Sequence, residues 1–148
     1  LETTAENEKT IFIKQLKLAD ELGMKVIVHT PRTNKREVAR ESLSIIDAHI
    51  NQSQVQIDHV DNSIIDLVVD FKGLRGITVQ PQKMTPLEAV KLLVDYGTKG
   101  FALNSDISSS PSDPLSVPKT ALEMKLAGFN DSDVKKVSMM NVSQFFGF

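Results

Sequence analysis

Residues 24–32 read Met-Lys-Val-Ile-Val-His-Thr-Pro-Arg, and residues 54–60 read Gln-Val-Gln-Ile-Asp-His-Val. Each is a short β-branched run closed by a histidine, a composition suited to a buried strand. Working outward, a helix is predicted from about Asn7 to Leu22, with Phe12, Leu16, Ala19 and Leu22 at helical intervals and Gly23 as its stop. Thr30–Thr33 reads as a loop, and Asn34 as the cap of a helix reaching His49. A short helix is expected over Ser63–Phe71 and a third strand over Gly76–Gln80. Thr85-Pro86-Leu87-Glu88 opens a helix in capping-box form that runs to Tyr96 and ends at Gly97. Gly100–Asn104 is the fourth strand. A Ser/Pro-rich loop from Ser105 to Ser116 leads into helices near 117–127, 131–138 and 141–145.

Strands alternating with helices imply βαβ units and a parallel sheet, so the fold class is α/β. Four β-α units are too few to close an eight-stranded barrel. Residues 1–148 therefore form one α/β region, either a small open sheet or half of a barrel.

Composition narrows the chemistry. The 148 residues carry a net charge of -2 and a globular balance of 41% hydrophobic to 24% charged residues. With pI near 5.9 there is no electrostatic case for nonspecific nucleic-acid binding. The absence of cysteine removes disulfides and thiolate metal sites. No run approaches the ~20 apolar residues of a membrane span, and the polar start is unlike a secretory signal, so a cytoplasmic setting without membrane contact is expected.

His29 ends the first strand, His59 the second, and Asp106 closely follows the fourth. In parallel α/β folds the strand C-termini share one end, and active sites gather there. A lone strand-end His is more often structural, and an Asp after a strand is more often a cap. Three such residues meeting at one mouth favour a shared site. Imidazole and carboxylate without thiolate suit a divalent ion of the zinc, manganese or iron kind. Such an ion activates water and polarises phosphoryl or carbonyl oxygens, with Asp106 placed to act also as general base. Arg32 and Lys35, just past His29, stand where they would clamp an anionic substrate, against the alternative of solvated loop charge. Gln80 and Lys83 follow the third strand at the same end. Asp58 and Asp61 flank His59, and Ser105 with Ser108–Ser110 reads as a rim. His49, placed mid-helix at the spacing of Ile45 and Ile46, reads as a packing or partly exposed residue.

The stretches Val26-Ile27-Val28-His29-Thr30-Pro31-Arg32, Ile57-Asp58-His59-Val60 and Leu103-Asn104-Ser105-Asp106 resemble the strand-five, strand-six and strand-eight metal motifs of TatD-like metal-dependent hydrolases of the amidohydrolase superfamily. The run from Asn104 to Thr120 resembles a mainly archaeal branch of that family. Asn141 to Phe146 resembles its closing segment. The resemblance implies the C-terminal half, strands five to eight, of a TIM-type (β/α)8 barrel. It also implies His29, His59 and Asp106 as metal ligands, zinc first, with manganese, magnesium or iron as alternatives.

The family's first-strand His-x-His pair and strand-four Glu are not found in these residues. The expectation is that half of the barrel lies upstream of Leu1, and that the fragment alone is inactive. Its open edges and an apolar inner face would then be covered by the missing N-terminal half-barrel or by a second copy. The activity implied is attack of metal-activated water on a phosphodiester or related bond, of a small molecule or a nucleic acid, with deoxyribonuclease activity among the options. The alternative from another class is a non-catalytic α/β domain that only folds or oligomerises.

Overall fold

In the computed structural model, residues 5–108 and 111–148 are described. Helix α1 (Ala5–Glu21) precedes strand β1 (Val26–His29), and α2 (Lys35–His49) leads through a 3-10 turn at Gln52–Gln54 into β2 (Val55–Asp58). There follow α3 (Ile65–Val68), β3 (Leu74–Thr78), α4 (Pro86–Tyr96) and β4 (Phe101–Asn104). The chain closes with α5 (Ser116–Leu126), α6 (Asp131–Lys135), a π-helical turn (Lys136–Met140) and α7 (Asn141–Phe146). The four strands form one parallel sheet in the order β1-β2-β3-β4. Every connection steps to the next neighbour in the same direction. A doubly wound sheet would reverse at a switch point, and this one does not. The architecture is that of a half-barrel.

Register assigns the faces. Val26 and Val28 pair with Val55 and Ile57, while Ile27 and His29 pair with Gln56 and Asp58. Paired residues of a parallel ladder share a face, and alternate residues oppose each other. One face carries Val28, Val55, Ile57, Ile77, Phe101 and Leu103, which join Leu16 and Ile46 of the helices in a single core. The other carries Ile27, His29, Gln56, Asp58, Leu74, Gly76, Thr78, Ala102 and Asn104. The inner face is thus mixed, with His29, Gln56, Asp58, Thr78 and Asn104 beside Ile27, Leu74, Gly76 and Ala102, which corrects the expectation of a wholly apolar one. Val26, Val28, Val55, Ile57 and Ile77 stand on the helix-facing side, while Ile27, Leu74 and Thr78 stand on the inner face.

Three local expectations are also corrected. Strand β3 begins at Leu74, two residues before the Gly76 start read from sequence, so it contains Arg75. That charge is tolerated because its guanidinium donates to the carbonyls of Val69 and Lys99, each at 2.6 Å, and its Cζ stands 4.2 Å from the centre of the Phe101 ring. Val79 makes only an isolated bridge to Met84, and Gln80 lies beyond the strand. Asn34 does not cap α2 with its side chain: its backbone is left-handed (φ 50°), a region Asn tolerates, and its carbonyl accepts from the Val38 amide. The two C-terminal helices are one continuous run, joined through the π turn. The capping box at Thr85 and Glu88 forms as read.

Candidate metal centre

Strand ends place the side chains. His29 is the last residue of β1 and His59 the first beyond β2; Asp106 lies two residues beyond β4. His59 and Asp106 both have left-handed backbones, with φ of 61° and 43°. Such conformations cost non-glycine residues free energy, and they cluster where a side chain must be aimed. All three residues line one cavity of about 710 Å3, together with Thr30, Arg32, Lys35 and Gln80.

The imidazoles of His29 and His59 meet edge to face, with His59 Nε2 2.8 Å from His29 Nδ1. His59 is buried, and its Nδ1 lies 2.7 Å from Thr78 Oγ1. Burial pushes its pKa below the ordinary histidine value; the Asp58 carboxylate pulls the other way, while Lys83 and His29 add to the depression. His59 is therefore neutral at pH 7, the form able to coordinate an ion. Lys83 Nζ sits between the groups, 3.1 Å from His59 Nε2 and 2.7 Å from Asp106 Oδ2. This bond to Lys83 holds the Asp106 carboxyl below the usual range, outweighing its slight burial. Gln80 Nε2 donates to the same carboxylate at 3.0 Å. The other end of that amide, Gln80 Oε1, is buried with no hydrogen-bond partner among the described residues.

The remaining sequence-predicted residues divide. Lys35 lines the cavity, but its ammonium is taken up by Asp61 and by the carbonyl of His59 at 2.6 Å. It fixes the backbone of His59 rather than standing open to a substrate. Arg32 is exposed and, among the described residues, is held by two 3.5 Å contacts to Gln82, at the limit of a hydrogen bond. Asp61 accepts from Ser63 as well as Lys35. Ser108 lies on the cavity wall, while Ser109 and Ser110 of the expected rim are outside the described residues. His49 is half-buried, but it is the last residue of α2 rather than a mid-helix one. Thr78 and Asn104 were not picked out from sequence. A partial signal was present: alternate positions of β2, β3 and β4 read Gln-Asp, Leu-Gly-Thr and Ala-Asn, and toward the strand ends they are polar where a core would be apolar.

The donor chemistry fits a divalent ion of the zinc type. Two neutral-capable imidazoles and a carboxylate converge, a cationic ammonium is stabilised between them, and one buried amide oxygen is left without a donor. Among the described residues, no three His, Asp or Glu side chains are gathered tightly enough to chelate an ion as they stand. Asp106 is turned onto Lys83 and Gln80 instead. No helix among the described residues is long and apolar enough to cross a membrane.

No family model matches the sequence. Over 143 residues the chain is 37% identical to an uncharacterized metal-dependent hydrolase of Methanocaldococcus jannaschii, covering 95% of this chain and 56% of that protein. Among solved structures, a TatD-like protein from Archaeoglobus fulgidus matches all of this chain and 57% of its own, with a TM-score of 0.78 and 24% identity. A β-aspartyl dipeptidase from Fervidobacterium islandicum matches 99% of this chain and 42% of its own, with a TM-score of 0.74 and 18% identity, a likeness of fold alone. The chain spans a little over half the length of the curated relative. Over that span it is similar to a metal-dependent hydrolase, and it shares its half-barrel fold with the TatD-like protein.

Proposed function

We propose that this chain carries part of the active site of a metal-dependent hydrolase that cleaves a phosphodiester or a related bond, with His29, His59 and Asp106 holding a divalent ion, zinc first. The observation that carries the reading is the contact of His59 Nε2 with His29 Nδ1, in a cavity that Asp106 also lines. When bound, the ion supplies Lewis acidity and lowers the pKa of water. Asp106, deprotonated at neutral pH, accepts the proton of the attacking water. Arg32 takes the anionic oxygens of the substrate, for which its planar fork is suited and its weak ties to Gln82 leave it available. Gln80 Oε1 accepts a hydrogen bond from water or substrate. Lys35 holds the His59 backbone in its left-handed turn. Further donors come from outside this chain's residues, supplied by the remainder of a barrel or by a second copy. Alone, residues 1–148 are inactive.

The test uses the intact protein with added zinc, assayed on a small phosphodiester, a single-stranded DNA oligonucleotide, a carboxylic ester and an amide. We expect chelator-sensitive phosphodiester cleavage, at least 100-fold slower in His59→Ala, with Arg32→Ala raising KM more than it lowers kcat. Hydrolysis indifferent to chelator and to His59→Ala would remove the metal reading. Cleavage confined to the ester or amide would remove the phosphodiester.

A further inference from the structure

The inner face of the sheet carries a chain of hydrogen bonds that leads from a carboxylate to the back of His59. Asn104 Nδ2 donates to Asp58 Oδ1 at 2.8 Å, Thr78 Oγ1 donates to Asn104 Oδ1 at 2.7 Å, and Thr78 Oγ1 lies 2.7 Å from His59 Nδ1. The bonds cross three strands, from β2 to β4 and back through β3. Gly76 makes the crossing possible, because a Cβ there would collide with Asp58 Oδ1 and crowd Asn104 Nδ2.

The direction of every proton in this chain follows from its first member. A carboxylate only accepts, so Asn104 must turn its NH2 toward Asp58, and its carbonyl oxygen is left facing Thr78. The Thr78 hydroxyl has one proton, and the Asn104 carbonyl takes it. Thr78 Oγ1 then has only lone pairs for the ring, so His59 Nδ1 must carry the proton and Nε2 must be bare. The reverse order would set Asn104 Oδ1 against Asp58 Oδ1, two acceptors at hydrogen-bond distance. Lys83, which can only donate, stands 3.0 Å from Nδ1 and 3.1 Å from Nε2; with Nδ1–H committed to Thr78, Nε2 is the acceptor it finds.

We infer that Asp58, acting through Asn104 and Thr78, sets the tautomer of His59 so that its bare Nε2 faces the cavity. The three are positioning residues, acting on the metal site through His59. The consequence for zinc rests on the function proposed above; the proton order itself does not. Hydrogen-bonded partners behind a ligating imidazole typically contribute 10–100-fold in metal affinity.

Long-range 1H–15N correlation spectra of the metal-free, 15N-labelled intact protein at pH 8 read the tautomer directly. We expect His59 protonated at Nδ1 in the wild type. Asp58→Asn, whose amide can run the chain either way, should give a mixture of tautomers and a 10–100-fold loss in zinc affinity. Thr78→Val should do the same, and Thr78→Ser should restore the wild-type spectrum and affinity. A wild-type His59 protonated at Nε2, or a single Nδ1–H tautomer surviving Asp58→Asn, overturns the inference. The wild-type spectrum decides the first point even if a variant fails to fold. Wild-type protein that shows the Nδ1–H tautomer but takes up no zinc upholds the proton order and removes the metal reading instead.

Discussion

Lys83 Nζ stands 2.7 Å from Asp106 Oδ2, so positive charge already lies where His59 and Asp106 converge. A divalent ion held by those residues must displace it. Lys83→Met, which keeps the length of the stem and removes the charge, is predicted to raise zinc affinity about tenfold, equivalent to about 1.4 kcal/mol. The Asp106 carboxyl should titrate higher, toward its ordinary value, because its bond to the ammonium is the main cause of its depression. Isothermal titration with zinc and carboxyl-resolved NMR check the two halves.

Asp61 gives a pH dependence with a definite sign. Burial pushes its carboxyl up, but the bonds from Lys35 and Ser63 outweigh that and leave it below its ordinary 3.8. A depressed folded pKa stabilises the native state above the unfolded value and loses that contribution as pH falls through the folded one. Asp61→Asn should therefore destabilise at pH 6, and its deficit should shrink as pH drops below about 4. Urea unfolding of both proteins between pH 6 and pH 3 measures the difference, which a pH-independent deficit would contradict.

Gly76→Ala tests the packing of the inner face. The added methyl meets Asp58, Gln56 and Asn104 side chains rather than a cavity. We expect a loss of zinc affinity of at least tenfold, with stability lowered by about 1–3 kcal/mol from overpacking. Unchanged zinc binding would show that the polar cluster does not reach the mouth.

Thr85→Ala serves as the contrasting case. Thr85 Oγ1 accepts from the Glu88 amide and Glu88 reaches back to the Thr85 amide, closing the box at the start of α4. Its loss should cost about 1 kcal/mol in thermal or urea unfolding and leave zinc affinity unchanged.

The parts legible in the sequence were those written in local pattern. The β-branched runs before His29 and His59 gave their strands, and Thr85-x-x-Glu88 gave its helix start. The early start of β3 was hidden because a charged Arg75 does not read as core; only the folded chain supplies the carbonyls of Val69 and Lys99 that receive it. The His59–Thr78–Asn104–Asp58 chain joins residues up to 46 positions apart, across strands whose register no local pattern specifies. The left-handed backbones at His59 and Asp106 carry no glycine to announce them.

The most direct test of the metal centre is a crystal of the intact protein grown with zinc and measured at the zinc absorption edge. An anomalous peak is expected within bonding distance of His29, His59 and Asp106, with Lys83 moved off the Asp106 carboxylate. No peak in this cavity, or a peak on other residues while Lys83 stays on Asp106, would contradict it.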